Sequence, residues 1–316
     1  MTRPGPRDRA AATVLLAAGA PDCNARRPLQ TVIYIGGKFV PAEEAKVDLL
    51  DRGYLLGDGV FATMRGYGGV CFRPHAHLSV LARGAEMLGI ELPAALETIA
   101  EVADEAAART GEEDAYVRVT LTRGPVGGTP TLSVVARAMT PPPAADYERG
   151  VAAVTVKPRR VPPACLDGTI KTTSYVAQVV ARREVELRGA GEGIQLAVDG
   201  SLACGTMANL FVVLGDRLLT PSLESGCRAG VTRAAVLELA PALGLEPREE
   251  RLSPSVLAEA DEVFFTSTRI ECLPVATVDG RAVGKGSFDR THALRAALEK
   301  LVRDETAARR AKVGGP

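Results

Sequence analysis

Three consecutive prolines, Pro141-Pro142-Pro143, most constrain how this chain folds. Proline has no amide donor and a fixed φ, so neither a helix nor a sheet strand runs through such a segment. The 316 residues therefore divide there. We expect an N-terminal α/β domain over 31–140, a proline-rich linker over 141–150 and a second domain over 151–316. Two domains are ordinary for this length.

Hydrophobic periodicity fills in both halves. TVIYIGGKFV (31–40) alternates around Gly36-Gly37, a hairpin pattern. Residues 71–90 switch to helical spacing, with Leu78, Leu81, Ala82, Ala85 and Leu88 on one face. A second helix is predicted over 93–109, then strands over 115–124 and 131–139, rich in β-branched residues. Beyond the prolines, 151–158 reads as a strand. Residues 174–188 read as a helix with Val176, Val179, Val180 and Leu187 turned inward. Strands follow over 193–200 and 209–221, the latter folded at Gly215-Asp216. A helix is predicted over 232–243, a buried strand over 260–268 and a final helix near 291–310. Strands and helices alternate without regular βαβ spacing, which predicts an α+β class.

The composition excludes several functions. Lys and Arg number 38 against 38 Asp and Glu, so there is no basic surplus for nucleic acid or an anionic membrane. Hydrophobic residues make up 46%, ample for a core. The cysteines, Cys23, Cys71, Cys165, Cys204, Cys227 and Cys272, are scattered, and the histidines are His75, His77 and His292. That pattern predicts neither a zinc site nor a disulfide scaffold, and a reducing cytoplasm suits it. Arg3, Arg7 and Arg9 precede an apolar run over 10–20, an arrangement that resembles the start of an export signal but lacks a clear cleavage site and is far short of the ~20 residues needed to span a bilayer. We expect residues 1–30 to be a disordered or overextended start.

Four segments carry residues suited to chemistry. Lys171 in DGTIKTTSY (167–175) lies between a predicted strand and a helix. Desolvation there would lower its pKa and free its amine for Schiff-base chemistry. CRAGVTRAAVLELA (227–240) starts a helix at Val231 or Thr232, and free amides at a helix start form a phosphate seat. FFTSTR (264–269) ends a strand in hydroxyl residues. DRGYLLGDGVFATMR (51–65) combines turn glycines with fixed charges. For a substrate carboxylate the candidates are Arg118, Arg123 and, more weakly, Arg65, because a guanidinium fork pairs bidentately. Arg118 and Arg123 are five residues apart, so at most one faces a common site.

Taken together, these segments resemble the class IV (fold type IV) pyridoxal-phosphate enzymes, which include branched-chain and D-amino-acid aminotransferases and aminodeoxychorismate lyases. The matching stretches are DRGYLLGDGVF, IKTTSY, NLF (209–211), TPSLESGCRAGVTR (220–233), ADEVFFTST and LPVATVDGRAVGKG (273–286). The resemblance implies pyridoxal 5'-phosphate between two domains, with Lys171 as its Schiff-base lysine. It implies that the Val231 and Thr232 amides and Thr268 hold the phosphate, and that Tyr175 contacts the cofactor. It also implies a homodimer acting on an α-amino acid and a 2-oxo acid.

Three departures accompany the match. Val80 stands where the family's phosphate arginine stands, Cys204 replaces the glutamate that pairs with the pyridine nitrogen, and Ala62 replaces a common glutamate. Losing the arginine costs about 1.5–3 kcal/mol of cofactor binding. A thiol cannot keep the pyridine protonated, which weakens the ring as an electron sink. Cys204 therefore leaves a lyase, and Val80 together with Cys204 a non-catalytic relative with weakened cofactor binding, as alternatives to an aminotransferase.

Overall fold

A computed structural model of the protein describes residues 31–313. The expected disordered start over 1–30 lies outside the described residues. Six strands before the prolines form one sheet: β1 (Val32–Ile35), β2 (Lys38–Val40), β3 (Gly59–Tyr67), β4 (Val70–Cys71), β5 (Asp114–Thr122) and β6 (Thr131–Ala138), in the order β2-β1-β6-β5-β3-β4. Helix α1 (Arg52–Leu56) precedes β3. Helices α2 (Pro74–Leu88) and α3 (Leu96–Arg109) lie between β4 and β5 in sequence. They cover one sheet face, burying Leu78, Leu81, Ile99 and Ala103 against Met64, Val117, Val119 and Leu121. Strand β5 alternates strictly, odd residues buried and even ones half-exposed, so its other face is free to line a site.

Nine strands after the prolines form the second sheet: β7 (Val151–Thr155), β8 (Glu192–Leu196), β9 (Leu202–Gly205), β10 (Asn209–Leu214), β11 (Arg217–Pro221), β12 (Glu246–Glu250), β13 (Glu262–Ser267), β14 (Glu271–Val278) and β15 (Arg281–Ala282). Most pairings are antiparallel, with parallel pairs at β7–β8, β7–β14 and β11–β12. Four helices accompany it: α4 (Ala144–Arg149), α5 (Val176–Leu187), α6 (Val231–Leu239) and α7 (Val256–Glu259). The C-terminal α8 (Asp289–Val313) packs Leu294, Leu298 and Val302 with Phe211, Phe264 and Phe72. Ion pairs Arg73–Glu305 and Arg309–Asp104 tie this helix to residues of the first sheet and its helices.

Three local expectations are corrected. The proline segment does more than interrupt: Pro143 sits at the N-cap of α4, whose Tyr147 is buried. A proline pre-sets φ for a helix start even as it ends what precedes it. Strand β14 was not anticipated, because Pro274 lies inside it opposite Phe264, and an internal proline argues against a central strand. Helix α5 turns its other face inward. Gln178, Ala181 and Val185 are buried, while Val176, Val179, Val180 and Leu187 are exposed, Leu187 at 75%. Both stripes have helical spacing, so periodicity alone does not choose between them. Val154 and Val156 pack against Ala181 and Val185, where small side chains allow close approach.

Candidate active site

Lys171 is positioned by backbone pairing with the start of β3. The Phe61 amide donates to the Lys171 carbonyl at 2.8 Å, and the Thr173 amide donates to the Gly59 carbonyl at 2.8 Å. This bridge across the two halves of the chain holds the lysine side chain with its Nζ 4.7 Å from the Phe61 ring centroid. The Gly57-Asp58-Gly59 motif makes the approach possible. Gly57 ends α1 in the left-handed region at φ +71, and a Cβ there would press on Ser174 at 3.0 Å. A Cβ on Gly59 would meet the Leu121 carbonyl at 2.8 Å. Between them, Asp58 takes hydrogen bonds from Arg123 and Arg52, which hold its carboxyl below the usual range.

A cavity open to solvent surrounds the amine. Burial, then the guanidiniums of Arg228 and Arg118, bring the half-buried Lys171 down to about 7. His77 also lines the cavity, and burial together with the nearby lysine lowers it to about 3, so it is a neutral imidazole. Val80, one turn along α2, presents a methyl-bearing side chain to the same space.

The opposite wall is the start of α6. Gly230 is its N-cap, and no side chain caps the helix, so its first amides have no intrahelical partner. Val231 and Thr232 line the cavity there. Asn209 anchors this turn by donating from Nδ2 to the Arg228 carbonyl at 2.8 Å. Its Oδ1 lies so close to Gly230 that any Cβ would overlap it, so the NLF and AGVT stretches are parts of one contact. Ser267 and Thr268, at the end of β13, complete this end of the cavity. The Thr268 hydroxyl donates to the Thr63 carbonyl at 3.3 Å. Thr266 is buried with its hydroxyl unpartnered.

Tyr175 and Cys204 line the same cavity. Tyr175 packs edge-on against Phe61, with centroids 5.3 Å apart. Cys204, at the end of β9, is buried, and burial pushes its thiol up to about 11. Lys171, Tyr175, Cys204, Val231, Thr232 and Thr268 thus share one cavity.

The carboxylate candidates separate. Arg118 stands on the open face of β5 next to Thr63, its guanidinium carbon 3.6 Å from the Phe61 centroid. Arg123 is taken up by Asp58 and by the Leu88 and Gly89 carbonyls. Arg65 is buried between Asp114 and Glu271, and none of Arg65, Arg118 and Arg123 is among the residues that line the Lys171 cavity. Arg123 and Arg65 are thus each engaged by carboxylates. Two cavity arginines were missed. Arg228 stood inside a quoted motif without a role, and Arg160 carried no local signal.

A lysine amine and an uncapped helix start thus line one cavity of a two-sheet α+β fold. The chain belongs to the amino-transferase class IV family, whose model matches residues 59–278. A putative branched-chain-amino-acid aminotransferase of Methanocaldococcus jannaschii is 36% identical over 260 residues, covering 79% of this chain and 89% of that protein. The D-alanine aminotransferase of Bacillus licheniformis is 30% identical over 286 residues, covering 87% and 98%. The solved T.th. branched-chain amino acid aminotransferase with pyridoxamine 5'-phosphate superposes with a TM-score of 0.80 at 29% identity, covering 86% and 93%.

Proposed function

We propose that the protein is a pyridoxal-phosphate-dependent aminotransferase that moves an amino group between an α-amino acid and a 2-oxo acid, with Lys171 as its catalytic amine. The observation that carries this reading is the Lys171 amine, lowered to about 7, facing the uncapped start of α6 within one cavity. The residues fit the cofactor. An amine near neutrality suits an aldehyde, and free helix amides beside an unpartnered Thr266 hydroxyl suit a phosphate. When bound, the cofactor supplies the aldehyde that carries the amino group and a ring that spreads charge from the substrate α-carbon.

Lys171 holds the cofactor covalently and moves the proton at the substrate α-carbon. The Val231 and Thr232 amides and the Thr268 hydroxyl bind the phosphate, Tyr175 contacts the ring, and Arg118 binds the substrate carboxylate. Cys204 favours one second reading, a lyase resembling the aminodeoxychorismate enzyme, because a neutral thiol leaves the ring a weaker sink. Borohydride reduction of the protein with added pyridoxal phosphate, followed by peptide mapping, is expected to place the label on Lys171. Assays with branched-chain and D-amino donors and a 2-oxo acid are expected to show amino transfer. Label elsewhere or none would overturn the reading, and keto-acid formation without an acceptor would select the lyase.

The working form we propose is a cytoplasmic homodimer of two-domain subunits with the site between the domains. Five unpaired thiols among the described residues suit a reducing compartment. No helix among the described residues is long and apolar enough to cross a membrane. Leu49, Leu50, Leu55 and Leu56 are exposed around α1, and Val176, Val179 and Val180 on α5, apolar surface of the kind that subunit contact buries. Sedimentation at micromolar concentration is expected to give the dimer mass, and a stable monomer would refute this assembly.

A further inference from the structure

The described residues lining the cavity include no Asp or Glu, while Arg160, Lys171 and Arg228 all line it. The groups that act on Cys204 are Arg160, Cys227, Arg228 and Glu192. Arg160 is buried and fixed by the Gly226 carbonyl at 2.6 Å and the Gly168 carbonyl at 3.5 Å. Arg228 is held by the Ile170 carbonyl and lies 5.4 Å from the Tyr175 ring centroid. Among the described residues neither guanidinium is in an ion pair with a carboxyl group. Glu192 is the nearby acid, and its Oε1 already accepts from the Gly193 amide at 2.8 Å, the Thr206 amide at 3.1 Å and the Thr206 hydroxyl. Cys227 packs against Cys204 as a second buried thiol.

A basic ring nitrogen placed against this wall finds donors and positive charge but no carboxylate to stabilise an added proton. Protonating it would put one more cation beside two fixed guanidiniums in a partly dry site, where like charges repel strongly. We infer that this protein holds its cofactor with the ring nitrogen unprotonated, as a hydrogen-bond acceptor facing Cys204, and that Arg160 and Arg228 supply the positive field at that end of the ring. This rests on the cofactor reading proposed above. It deepens that reading by assigning the two arginines a role as positioning residues and by changing what the ring can do. Fixed guanidiniums attract electron density without taking a proton. A neutral ring would stabilise charge at the substrate α-carbon less than a pyridinium would, so removal of that carbon's proton by Lys171 would be slower.

The test is the nitrogen NMR shift of the holoprotein rebuilt with pyridoxal phosphate labelled at the ring nitrogen. Borohydride labelling of Lys171 in the same preparation checks that the cofactor is seated. Absence of that label defeats the cofactor reading itself, whatever the shift. With the label present, the signal is expected in the neutral-pyridine range and unchanged from about pH 6 to about pH 8. Cys204→Ser is expected to keep it there, because serine adds no carboxylate. Cys204→Glu is expected to move it to the pyridinium range. A pyridinium signal in the unaltered protein would overturn the inference. So would a neutral signal in seated Cys204→Glu, since the nitrogen then does not face residue 204.

Discussion

Lys171→Ala lowers amino transfer by about three orders of magnitude or more, while the protein still folds and binds the free cofactor. The size follows from losing the proton-transferring group, worth about 10²–10⁴-fold by itself, together with the covalent attachment. Stability should change little, because the anchoring is backbone pairing of residues 171–173 with β3, which alanine retains. The pH dependence has a definite sign. A lysine depressed to about 7 is protonated below that pH and a free amine above it. Capture of pyridoxal phosphate by the cofactor-free protein should therefore accelerate as pH rises through about 7 and level off above it, far below the ordinary lysine value of 10.5. Stopped-flow absorbance across that range measures the pH profile, and an assay of 2-oxo acid formed from an amino donor measures the alanine variant. A capture rate still climbing toward pH 10 would mean that Arg228, Arg118 and burial do not act on this amine.

Val80→Arg tightens cofactor binding by tenfold to a hundredfold. Position 80 is on α2 and lines the same cavity as Thr232 and Thr268, with only the neutral His77 beside it on that helix. A guanidinium there adds one charge-assisted phosphate contact, about 1.5–3 kcal/mol. Titration with pyridoxal phosphate gives the affinity, and titration with pyridoxal lacking the phosphate is the control. The gain should appear only with the phosphate. Unchanged affinity would place the phosphate away from α6 and the end of β13.

Many elements were legible because they depend on neighbours in sequence. The β5 and β6 strands, helix α2 and the hairpin of β10 and β11 follow from alternation, from 3.6-residue spacing and from turn residues. Strand β14 was not legible, since Pro274 breaks the local pattern and only its partner β13 restores it. Lys171 and the α6 start were singled out as types of residue suited to an aldehyde and a phosphate. Their facing one another depends on Phe61 and Gly59, more than a hundred positions earlier.

What the sequence determined by itself was the set of amphipathic elements, the break at the prolines and the residues able to do the chemistry. These rest on side-chain periodicity and backbone limits that act over a few residues. The tertiary structure alone decided which stripe of α5 is buried, since two stripes with the same spacing differ only in what packs against them. It also decided the fate of each arginine. Arg65 is neutralised by Glu271, 206 positions away, and Arg123 by Asp58, 65 positions away. Arg228 and Arg160 meet no carboxyl partner among the described residues and face the cavity instead. A charge is defined by the groups that surround it in space, and for a guanidinium on a long side chain those groups come from anywhere in the chain.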